Sequence, residues 1–397
     1  MGGAGTMLTD FDISELTAFR RQLHRFPEVS GQERGTAAWV AAALAACGVS
    51  PGRIVTGLGG HGVAAVFDGA ALFDGAAVGP TVMFRAELDA LPITELSNAA
   101  HRSSIPGVAH LCGHDGHVAI LLGLARMLSR HQPARGRVVL MFQPAEEDGS
   151  GAAAVVADAR FDDLHPDWAF ALHNFPGIAR GECWLAAGPL SCASVGMRVM
   201  LEGKTSHAAQ PERGVSPGLA VAGLIADLGA LGRGGDLGDA FRLVTITHAR
   251  LGEPAFGTSP AHGEVWATLR TMLDAPMAAL KAQAVALAEA AAKTHGLALR
   301  IEWHDNFAAC ANDPAATDHM ARALDSLGMT HAPGGLPMRP SEDFGAFDKL
   351  PGCKSAMVML GAGVDHAALH NPDYDFPDDL IAPGVRLFDR ITRDLLG

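Results

Sequence analysis

The chain has no run of Lys and Arg longer than a few residues, and its 30 basic residues face 43 acidic ones, for a net charge of −13. That excludes a protein built to grip nucleic acid, whose affinity comes from phosphate contacts. Long apolar runs are also missing. The longest are short, Ala-rich and interrupted, which excludes a membrane-spanning helix of the ~20 residues a bilayer demands. Residues 1–7 lack the cationic start and apolar core of a secretory leader, and Met7 reads as the natural initiator. Cysteine is sparse. Cys47, Cys112, Cys183, Cys192, Cys310 and Cys353 are scattered too widely for a disulfide framework. They fit a reducing cytoplasm. No repeat or low-complexity linker interrupts the chain. What remains is a globular composition, 48% hydrophobic and 18% charged, over 397 residues. Single cores stop growing well short of that length, so about two domains are expected.

Against this background the stretch His110-Leu111-Cys112-Gly113-His114-Asp115-Gly116-His117 stands out. It packs a thiol, three imidazoles and a carboxylate into eight residues. Thiolate and imidazole suit borderline transition metals such as Zn²⁺. Glu146-Glu147, Leu172-His173-Asn174 and Leu369-His370-Asn371 add further donors, most of them just beyond an apolar run. Together they read as one metal site gathered from distant parts of the chain. A lone buried Cys is usually a small hydrophobe and a lone His a satisfied core residue, but these donors cluster.

Helical periodicity covers residues 14–25, 33–47, 115–130 and 150–160, and a closing helix runs from Ala382 to Leu396. Continuous apolar runs at 80–84, 137–142, 168–172 and 356–360 read as buried strands, and Met357 and Met359 as strand core. Such alternation predicts an α/β fold, a mainly parallel sheet sandwiched by helices. Ligands in such sheets gather at the carboxyl ends of strands. The middle section differs. Strand patterns at 194–201, 243–248, 264–270 and 298–303 enclose helical patterns at 215–231 and 275–294. That β-α-β-β-α-β order is ferredoxin-like. It predicts a lid or dimerisation domain over 190–306, inserted into a catalytic domain made of 1–189 and 307–397.

These motifs, from Leu23-His24 and Arg85-Ala-Glu87-Leu-Asp89 through Gly203-Lys-Thr-Ser-His207 to His370-Asn-Pro-Asp-Tyr-Asp-Phe376, give the chain a family likeness along nearly its whole length. It resembles the hippurate-hydrolase and N-acyl-amino-acid amidohydrolase branch of the co-catalytic-metal exopeptidases. The resemblance implies two divalent metal ions, Zn or Mn first and Co or Ni next, held by Cys112, His114, Glu147, His173 and His370. Five protein donors suit two ions if water or hydroxide bridges them. It implies Glu146 as general base and His207 as the group that steadies the oxyanion, a role worth roughly 3 kcal/mol. It also implies a homodimer whose lids reach across. Asp115, His117 and Asp89 read as caps or supports of the ligands rather than catalytic groups. Two departures stand out. Glu87 replaces the family's usual Asp and could approach the metals, and Phe256-Gly257-Thr-Ser-Pro260 stands where the family carries an Asn.

Arg270 has two readings, an ion pair with a nearby acid or a clamp on a substrate carboxylate, for which guanidinium is well shaped. The expected reaction is metal-dependent hydrolysis of the amide in N-acyl amino acids, small-molecule substrates. A dipeptidase or an aminobenzoyl-glutamate hydrolase would use the same site. A silent binding protein would lack the base or ligands, and a thiol enzyme would need Cys112 free of metal.

Overall fold

The computed structural model describes residues 8–73 and 76–397; Met7, the expected initiator, lies outside the described residues. Helices α1 (Asp10–Arg25) and α2 (Arg34–Ala46) precede strands β1 (Ile54–Leu58), β2 (Gly62–Asp68) and β3 (Thr81–Glu87). Next come α3 (His114–Arg130), β4 (Arg137–Gln143), α4 (Gly151–Ala157), β5 (Trp168–Pro176) and β6 (Cys183–Trp184). The insert contains β7 (Ala193–Glu202), β8 (Ser206–His207), α5 (Gly218–Ala230), β9 (Arg242–Leu251), β10 (Thr258–Ser259), β11 (His262–Thr271), α6 (Asp274–His295) and β12 (Ala298–Phe307). The chain ends with α7 (Pro314–Ser326), β13 (His331–Ala332), β14 (Lys354–Gly363) and α8 (Ile381–Leu396).

The chain forms two compact units. The larger takes residues up to Leu190, then Ala311–Leu336 and Asp343–Gly397; the smaller takes Ser191–Cys310 and Pro337–Glu342. In the larger unit an eight-stranded sheet runs β1-β2-β4-β3-β5-β14-β6-β13. Its centre, β4-β3-β5-β14, is parallel. The antiparallel β1 and β2 extend one side. The central strands read as unbroken apolar runs because both faces are buried. On one face Phe84 stacks on Phe170 at 5.8 Å and meets Phe388 of α8 at 4.8 Å. Ile120, Leu121 and Leu124 of α3 and Ile391 of α8 complete that core. The opposite face carries Met83, Arg85 and Glu87 of β3 and Met141 and Gln143 of β4, all buried. Polar side chains therefore enter only toward the carboxyl ends of the strands.

The smaller unit folds an antiparallel sheet in the order β9-β11-β7-β12. In sequence order of its strands this is 2-3-1-4, the ferredoxin-like topology that the β-α-β-β-α-β pattern predicts. Its helices α5 and α6 cover one face through Leu224, Leu228, Leu280 and Ala284.

Behind the strand ends lies a buried ionic cluster. Arg20 pairs with Asp115, Asp375 and Asp378. His24 sits between Asp115 at 2.9 Å and Glu95 at 3.3 Å. Burial disfavours the imidazolium, but those two carboxylates outweigh it and push His24 up to about 9. A raised value means that the folded state binds the proton more tightly than the unfolded chain, whose histidine titrates near 6.5. The stabilisation is complete below pH 6.5 and is lost as pH rises to about 9. Urea unfolding across that window should show wild type losing stability relative to His24→Gln, by up to about 1.4 kcal/mol per pH unit. Parallel pH curves would remove His24 from this role.

Candidate metal centre

Three turns beyond the parallel strands bring the donors together. After β4 the chain turns through Pro144-Ala145-Glu146-Glu147. Ala145 adopts a left-handed conformation, φ +49°, which is uncommon for a residue with a Cβ. Two hydrogen bonds hold it there. Ala145 N donates to Glu33 Oε1 at 2.8 Å, and Gly151 N donates to Ala145 O at 2.9 Å. A Cβ on Gly151 would lie 1.6 Å from Pro144 O, so only glycine permits the closure. Beyond β3, Asp89 Oδ2 accepts from Glu147 N at 2.9 Å and from Ser30 Oγ at 2.7 Å. The second turn begins α3. Gly113, φ +92°, occupies its N-cap position, with Cys112 and His114 on either side. The third carries His370, itself left-handed at φ +66°, with its N–H on Leu111 O at 2.8 Å. His173 comes directly from β5.

Cys112 Sγ lies 3.5 Å from His173 Nε2. His114 Nε2 lies 3.8 Å from Glu147 Oε1 and 3.9 Å from Glu146 Oε2. His370 Nε2 lies 3.5 Å from Glu147 Oε2. Two donor triplets have ligand atoms within 4.8 Å of one another, Cys112–His114–His173 and Cys112–Glu147–His370. Cys112 belongs to both. His114 Nε2 is buried and has no hydrogen-bond partner, while its Nδ1 is fixed by Asp89 O at 2.9 Å. A buried imidazole nitrogen aimed at carboxylates and a thiol is the donor set of a cation site, since burying such groups without compensation is costly.

The electrostatics agree. Burial drives the Cys112 thiol well above its usual value, and Glu147 and Glu146 push it further. Burial disfavours the charged His114, but Asp89, Glu87 and Glu147 overcome it and raise it to about 10. His173, buried and beside His117, falls to about 3. Without a cation the cluster keeps protons on its sulfur and on His114. A divalent ion displaces protons from such ligands.

The match to known proteins is extensive. The Peptidase family M20/M25/M40 profile matches residues 83–394. The chain belongs to this family. It is 31% identical over 371 residues to N-acetyl-L-cysteine deacetylase of Bacillus subtilis (strain 168), covering 92% of this chain and 85% of that one. It is 30% identical to the IAA-amino acid hydrolase ILR1-like 5 of Arabidopsis thaliana, covering 96% and 87%. A dinuclear metal binding M20 peptidase of Bacillus subtilis has the same fold, with TM-score 0.77, 24% identity and coverage of 98% and 99%. So does an aminobenzoyl-glutamate utilization protein of Klebsiella pneumoniae, with TM-score 0.72, 22% identity and coverage of 96% and 95%. This M20 chain is thus a hydrolase with the α/β architecture of its family.

Other expected residues sit as follows. Asp115 is engaged by Arg20 and His24 and turned away from the donors. Glu87 lies against the donors, since its ligand atom, with those of His114 and His117, makes a further buried triplet within 4.8 Å, while its two oxygens are bound by Arg85 and by His117 Nδ1, the latter at 2.6 Å. Burial opposes its ionisation, yet Arg85 and His117 hold it well below the usual carboxylate range. In the smaller unit, exposed His207 pairs with Thr258, and its Nδ1 accepts from Ala209 N at 3.0 Å. That acceptor role puts the neutral ring's proton on Nε2. Arg270 is half-buried and, among the described residues, pairs with no carboxylate. Its Nη1 donates to Ser341 Oγ at 2.7 Å and to Arg339 O at 3.2 Å. Burial lowers its pKa.

Glu33 was not legible in the sequence as a contributor. Nothing in its type or spacing links it to a turn 112 residues away. Asp89 grips two donors at once, holding the Glu147 peptide through its side chain and His114 through its own carbonyl. Asp89→Asn should therefore lower metal affinity 10- to 100-fold, measured as metal retained after dialysis. Retention equal to wild type would show that the grip is dispensable.

Proposed function

We propose that this M20 hydrolase cleaves the amide bond of N-acyl amino acids, releasing a carboxylic acid and a free amino acid. The observation that carries the reading is the convergence of Cys112, His114, Glu147, His173 and His370 around a buried imidazole nitrogen that makes no hydrogen bond, with Glu146 beside it. Those five residues would hold two divalent ions, with the Cys112 sulfur common to both donor triplets. Sulfur and nitrogen donors favour Zn²⁺, with Mn²⁺, Co²⁺ or Ni²⁺ as alternatives set by availability. The ions, when bound, polarise the substrate carbonyl and bring the pKa of the attacking water towards about 7.

Glu146 takes the proton from that water and later hands it to the leaving amine. Its carboxylate is buried, 3.9 Å from His114 Nε2. His207 donates from Nε2 to the developing oxyanion. Arg270, which pairs with no carboxylate among the described residues, binds the substrate α-carboxylate. The relatives named as an N-acetyl-L-cysteine deacetylase and an IAA-amino acid hydrolase support an N-acyl amino acid over a dipeptide.

A homodimer in which His207 serves the partner's site fits the exposed apolar face of α5. Leu219 is 76% and Ile225 38% exposed there, next to an exposed β9. A cytoplasmic setting fits six cysteines that form no disulfide.

A hydrolysis panel of N-acetyl, N-benzoyl and indole-acetyl amino acids, dipeptides and aminobenzoyl-glutamate on metal-reconstituted protein tests the reading. Exclusive turnover of dipeptides would overturn it. Glu146→Gln should lose about two to four decades of kcat with metal content intact. Mixed with His207→Ala subunits it should regain activity, since one site of the heterodimer then combines intact parts. No regain with heterodimers demonstrated would return His207 to its own subunit's site. For Arg270, kcat/KM should fall strongly when the substrate carboxylate is amidated, and Arg270→Lys should lose most of that discrimination because ammonium cannot copy the planar fork. Equal values for acid and amide on wild type would rule the clamp out.

A further inference from the structure

Two donors of the proposed centre, Cys112 and His173, are tied to a buried chain of side chains that none of the catalytic steps uses. Asn174, the residue after His173, is its hub. The Asn174 side-chain amide donates to Cys112 O at 2.7 Å and to His117 Nε2 at 3.1 Å. Its Oδ1 accepts from the Tyr374 hydroxyl. Its backbone N–H also points at His117 Nε2, at 3.1 Å, and its carbonyl accepts from His173 Nδ1 at 2.7 Å. With Nε2 accepting, the neutral His117 ring carries its proton on Nδ1, which donates to Glu87 at 2.6 Å. Glu87 is bound in turn by Arg85. Glu87, His117, Asn174 and Tyr374 are all buried, and every hydrogen-bonding atom of the Asn174 side chain is used.

Gly113 provides a second, independent observation. A Cβ there would lie 2.3 Å from Asn174 Nδ2 and 2.7 Å from the Tyr374 hydroxyl. The Cys112-Gly113-His114 turn thus rests directly on this pair, and a glycine is required for the approach. Both nitrogens of His117 are engaged within the chain, by Glu87 on one side and Asn174 on the other.

We propose that Tyr374, Asn174, His117 and Glu87 act as one positioning chain that sets Cys112 and His173 for metal binding. It rests on the ligand assignment made above. The chain fixes the Cys112 carbonyl, and hence the direction of Sγ, from one side. It fixes the His173 tautomer from the other, leaving Nε2 as the donor 3.5 Å from that sulfur. Supports of this kind are commonly worth 10- to 100-fold in metal affinity. Here one deleted hydroxyl should be felt through two ligands.

Tyr374 is the only tyrosine in the chain, so 3-fluorotyrosine labelling gives a single ¹⁹F resonance at the hub. Three measurements test the proposal on the full-length protein, with Zn²⁺ or Co²⁺ as the probe. Chelator competition should show Tyr374→Phe binding Zn²⁺ about tenfold more weakly or worse, with Glu87→Gln shifted in the same direction. In the Co²⁺-loaded protein the thiolate-to-cobalt absorption band should weaken in both variants. In the fluorotyrosine-labelled wild type the resonance should move with stoichiometric metal. Variants with wild-type melting temperature, wild-type metal affinity and an unchanged cobalt band would overturn the proposal, as would a ¹⁹F resonance indifferent to metal. Should Tyr374→Phe fail to fold, Glu87→Gln and the labelled wild type still decide. A wild type that behaves as expected here yet hydrolyses no N-acyl amino acid supports the positioning chain and sinks only the substrate reading.

Discussion

The larger unit is organised around one electrostatic problem, that of gathering a thiol, three imidazoles and two carboxylates, most of them buried, with ligand atoms within 4.8 Å of one another in sets of three. Hydrogen bonding among these groups is incomplete. His114 Nε2 makes no hydrogen bond and has only Glu147 and Glu146 at 3.8 and 3.9 Å, and Cys112 meets His173 at 3.5 Å. Burying unpaired polar atoms costs on the order of 1–3 kcal/mol each, so the arrangement survives only if the surrounding structure forbids relaxation. Each donor is accordingly held from behind. Asp89 anchors His114 and Glu147, Asn174 anchors Cys112 and His173, and Leu111 O holds the His370 peptide.

Backbone strain is part of the same arrangement. Ala145 and His370 are two of only three non-glycine residues with positive φ among those described; Ala145 precedes Glu146-Glu147, and His370 is itself one of the clustered residues. Each such conformation costs of order 1–3 kcal/mol. A hydrogen bond returns about 0.5–1.5 kcal/mol net. The bonds from Ala145 N to Glu33 and from Gly151 N to Ala145 O therefore roughly balance the strain at Ala145. The turn that presents Glu146 and Glu147 depends on residues outside it, in α2's N-cap position and at the start of α4.

The smaller unit solves a simpler problem. Its sheet carries a half-buried arginine, Arg270, braced by neutral oxygens of Ser341 and Arg339. Among the described residues no acid pairs with this charge. His207 sits on a two-residue ladder with Thr258-Ser259, and the Ala209 N–H selects its tautomer. Both groups thus keep N–H donors that no acid among the described residues engages.

The sequence by itself determined the architecture and the kinds of chemistry available. Continuous apolar strands alternating with helices specified a buried parallel sheet, because such strands are stable only when covered on both faces. The change of rhythm after residue 190 specified the ferredoxin-like insert. Clustered Cys, His and Glu beyond strand ends marked the donors, since those residue types carry the chemistry in their own atoms. The antiparallel β1 and β2 and helix α7 lie outside the elements that the sequence pattern predicts. What only the tertiary structure decided was the fate of groups whose role depends on a distant partner. Glu87, one strand residue among acids near the donors, is claimed by Arg85 and His117. Asp115 belongs to Arg20 and His24. Glu33, Asn174 and Tyr374 act through hydrogen bonds that span 112, 62 and 200 residues of chain. No local pattern encodes such contacts. They exist because packing brings the strand ends to one place, and a buried hydrogen bond forms only between groups that the whole fold has already brought together.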